Sequence, residues 1–335
     1  MSKSSLIRLS AVILVMLMLV LVLQNKDEMI SNGNLFVPEV DSRLDDIHKL
    51  ELRNGTDQLL IERNASGDWV LAQAQNYLVD TAQLAVFLRT IASARTIEEK
   101  TSKPEYYKRL GVEGVSPEGN TVELTLDWDT GKAAILFGDT PGSYRYARQV
   151  DQSTAWLVDA DVNISFDATT WLNTELTNID ASDVLEVSIV HSNGESVNII
   201  LGDDVSYLLS ELPEGRSLKY ASILDSIGAA LFGLNFEKVR AQIESVQTVK
   251  PADTTTTFRL SDETQIVSSR YIDEADEEIS WFRLEVTPTD QQSTVLSNAE
   301  LEGFRRAVDG WEFQFASFKA DQFTQTMENL LAPQE

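Results

Sequence analysis

The sequence predicts an α+β chain: an N-terminal transmembrane helix followed by two tandem units, each an antiparallel sheet with a helix packed on it. Three observations carry that expectation. A basic and then strongly apolar stretch opens the chain. Most of the remainder alternates apolar and polar residues between turn dipeptides, the pattern of half-buried strands. A hairpin signal followed by a helical signal occurs twice, with Asn54-Gly55 and Asn193-Gly194 standing 139 residues apart.

The opening stretch is Lys3 and Arg8 followed by Leu9–Leu23, a run of fifteen residues holding six Leu, four Val, one Ile and two Met. Counted from Leu6 it is eighteen residues, or about 27 Å of helix at ~1.5 Å per residue, against a hydrocarbon core of roughly 30 Å. Arg8 then sits near one end, where a long side chain reaches the headgroups. Leu21-Val22-Leu23-Gln24-Asn25-Lys26 has no small residues spaced for cleavage, which favours an uncleaved signal anchor; a cleaved signal peptide is the alternative. Lys3, Arg8 and the amino terminus precede the span, so the positive-inside rule puts the N-terminus in the cytoplasm and the bulk outside. The expected location is the inner (cytoplasmic) membrane, single-pass, with the body in the periplasm or otherwise extracytoplasmic. The expected division is 1–26 cytoplasmic tip and anchor, 27–45 tether, 46–178 first unit and 179–335 second unit.

In the first unit, Ile47–Arg53 alternates, Asn54-Gly55 turns the chain, and Leu59–Arg63 returns. Trp69-Val70-Leu71 reads as a third strand. The period then changes: Asp80 can cap, Gln83 follows three residues later, and Leu84, Phe87, Leu88 and Ile91 mark a helix of about Thr81 to Ala94. Short helices are expected at Pro104–Leu110 and near Asp167–Leu176, with strands at Val122–Trp128, Ala133–Phe137, Tyr144–Val150 and Ala155–Val158. In the second unit, Val184–Val190 and Val197–Leu201 flank Asn193-Gly194. Tyr220, Ile223, Leu224, Ile227, Leu231 and Leu234 predict a helix over Tyr220 to Phe236. Thr256–Leu260, Ile266–Tyr271 and Trp281–Val286 read as meander strands, and Phe323, Met327 and Leu330 share one face of a closing helix. The matching order of the halves suggests an internal repeat.

Composition narrows the chemistry. The chain has 335 residues, 27 Lys and Arg, 53 Asp and Glu, two His and no Cys, for a net charge of −26. Without Cys there are no disulfides, thiolate metal sites, Cys nucleophiles or lipidated N-terminal Cys. The acidic balance argues against nucleic acid as a partner, since phosphates need neutralising cations. Asp127-Trp128-Asp129 and Asp159-Ala160-Asp161 are D-x-D pairs, a pattern that can hold a divalent cation. Position twelve of a calcium loop counted from Asp127 is Gly138, where a bidentate Glu is required, so solvated turn residues are the better reading. His48 and His191 fall in strand patterns, away from any nucleophile-elbow sequence. The acidic run Asp273–Glu278 reads as a hairpin tip, or as a docking site for a basic partner. Trp69, Trp156 and Trp281 lie in alternating strands and read as core rather than as glycan-stacking platforms. With 53 acids, no carboxylate pair stands out as a glycosidase pair. No residue is therefore assigned as catalytic, cofactor-binding or metal-binding, and no cofactor is expected.

Several stretches in order resemble a known family. They are the I-x-x-L-x-L-x-N-G opening at Ile47–Gly55, the W-x-L of Trp69-Val70-Leu71, and the helix that follows. Next come Tyr107-Lys108-Arg109-Leu110-Gly111-Val112, Ala134-Ile135-Leu136-Phe137-Gly138-Asp139, Tyr144-Arg145-Tyr146-Ala147-Arg148, Trp156-Leu157-Val158-Asp159 and Gly310-Trp311-Glu312-Phe313. Together they resemble the domain of unknown function 4340 family. The resemblance implies an envelope protein, sometimes in the genetic company of gliding-type ABC transporter components. It transfers no functional residue, because the family supplies none. The resulting expectation is a noncatalytic, membrane-anchored envelope protein, an accessory or scaffold subunit of an assembly such as an ABC-type transporter. Its partners would be the membrane, through the N-terminal helix, and an envelope protein. A glycan- or peptide-binding envelope module is the alternative, and a carboxylate-dependent hydrolase a further one; no small-molecule ligand is named.

Overall fold

The computed structural model describes residues 33–220, 222–242, 251–273, 275–287 and 293–333. The apolar span expected at Leu6–Leu23 lies outside them. Among the described residues no helix is long and apolar enough to cross a membrane. The chain is mixed α and β, with two antiparallel sheets and few helices. It divides into two compact units: the first holds the chain up to Gln73 and Val79–Trp171, the second Ala74–Leu78 and Leu172 onward.

The first unit begins earlier than expected. Leu35 bridges to Arg95, α1 (Pro38–Ser42) packs on α2 (Thr81–Ser93), and Phe36, Val37 and Val40 are buried. The tether reading therefore fails from Leu35 to Asp45: three apolar side chains in a polar-looking segment are enough to dock it. β1 (Lys49–Arg53) and β2 (Gln58–Arg63) form the expected hairpin, with Leu50 opposite Ile61 and Leu52 opposite Leu59. The turn is a four-residue loop in which the Asn54 side chain accepts the amides of Thr56 and Asp57 at 2.8 and 2.7 Å. β3 (Trp69–Leu71) follows, and then β4 (Tyr77–Leu78), which groups with the second unit.

Asp80 caps α2, accepting the amides of Ala82 and Gln83, while Leu84, Phe87, Leu88 and Ile91 form its buried stripe. Gln83 does not close a reciprocal capping box; its side chain donates to the Thr170 carbonyl instead. Then come β5 (Thr96–Thr101), a 3-10 helix at Pro104–Leu110, β6 (Val122–Trp128), β7 (Gly131–Phe137), β8 (Arg145–Gln149) and β9 (Ala155–Val158). The helix expected near Asp167–Leu176 is a 3-10 turn at Ala168–Trp171 followed by β10 (Glu175–Thr177). Because β10 pairs with a strand of the second sheet, the units divide at Trp171/Leu172, seven residues before the boundary at 178/179.

The second unit continues with β11 (Val184–His191), β12 (Ser196–Leu201), β13 (Tyr207–Leu209), α3 (Ile223–Gly228), β14 (Leu234–Ala241), β15 (Thr254–Leu260), β16 (Gln265–Ile272) and β17 (Ser280–Thr287). It closes with α4 (Asn298–Val308), β18 (Trp311–Phe315), α5 (Ser317–Gln322) and α6 (Met327–Leu330). The helix expected over Tyr220–Phe236 is cut to six residues. Leu224, Ile227, Leu231 and Leu234 are all buried, so the apolar spacing is real, but it runs through a helix, a turn and a strand. The helix ends at Gly228, and Gly233, in the left-handed region at φ +55°, turns the chain into β14. Lys319 caps the end of α3, its ammonium donating to the carbonyls of Ala230 and Phe232 at 3.1 and 2.7 Å; burial lowers its pKa.

The expected closing helix is likewise two pieces. Phe323 leaves the helical line to join Phe258, Phe282 and Phe315 at ring distances of 5.3, 5.9 and 5.6 Å. The Gln325 carbonyl lies 3.1 Å from His191 Nε2 and the Met327 amide donates to Glu195 at 2.8 Å.

The two sheets share one strand order. Read from β3, the first runs β3-β2-β1-β6-β7-β8-β9-β5; the second runs β13-β12-β11-β15-β16-β17-β18-β14, with β10 added beyond β14. In both, the chain passes from β3 or β13, near or at one edge, through a helix to β5 or β14 at the far side, and then back to the middle.

On the second sheet, Glu312 is buried to 2 % exposure between Arg240 and Arg283, with contacts of 2.7 and 2.6 Å. The two guanidiniums lie over the rings of Trp281 and Tyr271 at 3.9 and 4.4 Å. Glu312→Ala takes the buried carboxylate from Arg283 and leaves Arg240 with Asp273 alone, and is expected to cost about 2–4 kcal/mol in urea unfolding, with Glu312→Gln costing less.

In the β15–β16 turn, burial raises the Asp262 pKa, but hydrogen bonds from Ser293, Val295 and Thr264 outweigh it and hold the carboxyl below its usual range. The folded pKa is depressed, so this contribution is present above the unfolded value of about 3.9 and disappears as pH falls below it. Stability measured from pH 6 downward should fall less steeply in Asp262→Asn than in the natural chain.

Candidate functional site

The return of the chain from β5 to the middle of the first sheet builds a corner. After β5, Pro104 opens the 3-10 helix, which ends at Gly111 in the left-handed region (φ +69°). Tyr107 points inward and is buried beside Val112, Leu136 and Ala155, with Leu110 and Tyr146 packed against them. Its hydroxyl donates to the Ser153 carbonyl. Three loops interlock here. The Asp139 amide donates to the Leu110 carbonyl at 3.1 Å, the Gly138 amide to the Tyr146 carbonyl at 2.8 Å, and the Thr121 hydroxyl to the Gly111 carbonyl at 2.7 Å. Gly138 is required for this approach, since a Cβ there would lie 1.9 Å from the Leu110 carbonyl oxygen.

Arg148 locks the corner. It is 8 % exposed and donates to the carbonyls of Val112, at 3.1 Å, and Gln152, at 2.9 Å, while its guanidinium lies 4.5 Å over the Tyr107 ring. Arg145, nearby, donates to the Val162 carbonyl at 3.2 Å; burial lowers its pKa and Asp161 partly restores it.

Outside this corner lies an open groove of about 770 Å³, lined by residues of β5 and the 3-10 helix: Glu99, Lys100, Lys103, Tyr106 and Arg109 among them, with Leu110 and Tyr146 as its apolar floor. Two further recesses, of about 280 and 290 Å³, are smaller. The groove holds three cations and one carboxylate in a chain of net charge −26. Lys100 is steered by Glu98 at 2.6 Å and lies 5.9 Å from the Tyr146 ring centre. Ser102 bonds Thr154 at 2.9 Å, and the Thr101 hydroxyl accepts the Lys103 amide at 3.1 Å, fixing the turn that carries Lys103. Tyr106 is 42 % exposed. Ammonium, guanidinium, phenol and hydroxyl groups around an apolar floor suit the holding of an anion with an organic portion.

The residues weighed from sequence fall elsewhere. Asp127 lies 3.8 Å from Lys49, and Asp129, in the β6–β7 turn, 3.9 Å from His48. Asp159 accepts the Arg95 amide. His191 has Thr254 on Nδ1 and the Gln325 carbonyl on Nε2, each at 3.1 Å; a carbonyl only accepts, so Nε2 carries the proton. The described part of the acidic run sits at the β16–β17 tip, where Asp273 turns back to Arg240 at 3.2 Å. Among the described residues no group of three or more His, Asp or Glu is placed to hold a metal ion. Trp69, Trp171 and Trp281 are buried, and Trp128, Trp156 and Trp311 half-buried. Sequence reasoning assigned no residue of the groove. The available signal was four cations between Lys100 and Arg109, alternating with two tyrosines in an acidic chain.

The corner is assembled from the stretches Tyr107–Val112, Ala134–Asp139 and Tyr144–Arg148. Residues 69–257, which contain all three, match the family described as Domain of unknown function (DUF4340). No curated protein matches the chain. The family match spans more than half of the 335 residues, and the chain belongs to the domain of unknown function 4340 family.

Proposed function

We propose that this chain is a noncatalytic, membrane-anchored envelope protein whose first unit holds an anionic group in the groove beside β5, acting as an accessory or scaffold subunit of an envelope assembly such as an ABC-type transporter. The observation that carries the binding role is the local gathering of cations: Lys103 and Arg109, beside a Lys100 paired with Glu98, surround an apolar floor in a chain that is otherwise strongly acidic. Fields from charges elsewhere are screened beyond about 8 Å at physiological salt, so an anion in the groove meets the local cations rather than the net charge. The membrane role is supported by the Lys3, Arg8 and Leu9–Leu23 pattern.

Full-length protein in detergent should bind phosphocellulose at low ionic strength despite its charge. Lys103→Glu with Arg109→Glu should flow through. Equal retention of both, or of neither, overturns the binding role.

In cells, the chain should stay in the membrane fraction after alkaline extraction, and a phosphatase fused at its C-terminus should be active. Release by alkali, or an inactive fusion, overturns the anchored, extracytoplasmic reading. Crosslinking in intact cells should recover a specific protein partner, and recovery of monomer alone counts against the accessory role.

A further inference from the structure

We infer that the groove beside β5 binds the phosphate of an anionic phospholipid headgroup and so seats the first unit against the surface of the membrane that anchors it. This rests on the membrane-anchored reading above.

The argument starts from where the chain arrives. Gly33 and Asn34 are tied to the start of β5: the Gly33 carbonyl accepts Arg95 at 2.7 Å and the Asn34 carbonyl accepts the Thr96 amide at 2.9 Å. From Thr96 to Thr101, five steps of strand cover about 17 Å, and Glu99, Lys100 and Thr101 at the end of that strand line the groove. Leu23 and Gly33 are ten residues apart in sequence, a reach of at most about 36 Å when fully extended and roughly 17 Å as a flexible coil. A groove on the strand where the chain arrives therefore lies within reach of the headgroup layer.

The chemistry of the groove suits that layer. Lys103 and Arg109 supply the charge for a phosphodiester, and Arg can engage two of its oxygens at once. The exposed Tyr106 and half-buried Tyr146 have the ring-plus-hydroxyl character favoured at membrane interfaces. A protein strand adding to β5 fits less well. Register shifts fall between Thr96 and Glu98 and between Glu99 and Thr101, and Glu98, Glu99 and Lys100 place successive charges along the edge; both devices discourage edge pairing.

The absence of cysteine allows a clean test. Glu105→Cys, an exposed site beside Tyr106, and Glu302→Cys, an exposed control on α4, are labelled with an environment-sensitive fluorophore in the full-length protein. Each is reconstituted into vesicles of phosphatidylcholine alone or with about a third phosphatidylglycerol. The expected result is shielding from iodide at position 105, not at 302, in the anionic vesicles only. Each cation beside an anionic surface is worth about a fivefold preference, so Lys103→Glu with Arg109→Glu should abolish the shielding while circular dichroism stays unchanged. Equal exposure at 105 in both vesicles overturns the inference while leaving the anchor intact. Equal shielding by soluble glycerol phosphate in neutral vesicles overturns the lipid assignment. Failure to float with either vesicle overturns the anchor, and this inference with it.

Discussion

Arg148 is a buried cation whose hydrogen bonds go to main-chain carbonyls of the loops at 112 and 149–152 rather than to a carboxylate. Burying a guanidinium is costly unless its donors are satisfied. The Val112 and Gln152 carbonyls and the face of Tyr107 meet that requirement together, and in doing so they tie the end of the 3-10 helix to the strands beneath it. The groove depends on this tie. Tyr106 and Arg109 sit on the same short helix as Tyr107 and Leu110, and a 3-10 helix has too few internal hydrogen bonds to hold its own orientation. Fix Tyr107 and Leu110 from below, and the outward residues are aimed.

The need for such a clamp follows from topology. In each unit the chain crosses from one edge of the sheet toward the other through a helix and must then return to the middle strand. In the first unit the return occupies Ser102–Thr121, mostly without regular structure. A connection of that length keeps its shape only through specific contacts. Gly138 under the Leu110 carbonyl, Thr121 on the Gly111 carbonyl and Arg148 across both sides are those contacts.

The parts of this fold legible in the sequence are those in which one local rule operates alone. The β1–β2 hairpin alternates with one face buried, and α2 has a cap and a clean apolar stripe. Errors arise where one spacing serves two structures. Leu224 to Leu234 keeps helical spacing across a turn into β14, because all those positions face the same core. Phe323, Met327 and Leu330 do the same across the break between α5 and α6. β5 goes unread for a different reason. Its register shifts break the two-residue period, and as an edge strand it shows no continuous buried face. That omission also conceals the groove, since the basic residues after it have no strand to be placed beside. α4 carries a readable signal, Ser297 and Glu300 in a capping box ahead of Leu301, Phe304 and Val308, which the reading from sequence does not use.

The shared strand order also bears on why this groove belongs to the first unit. β14 occupies the place in the second sheet that β5 occupies in the first, with the short β10 added at its outer side. There β10 covers the start of β14, at Leu234 and Asn235, and the strand runs on beyond it to Ala241. β5 pairs with β9 on one side, while on the other its start alone is bridged, by Leu35. Its far end borders the groove, and the successive charges of Glu98, Glu99 and Lys100 along it discourage another strand from adding to the sheet. Two sheets of one strand order thus acquire different surfaces through the side chains and connections at their edges, without a change of topology.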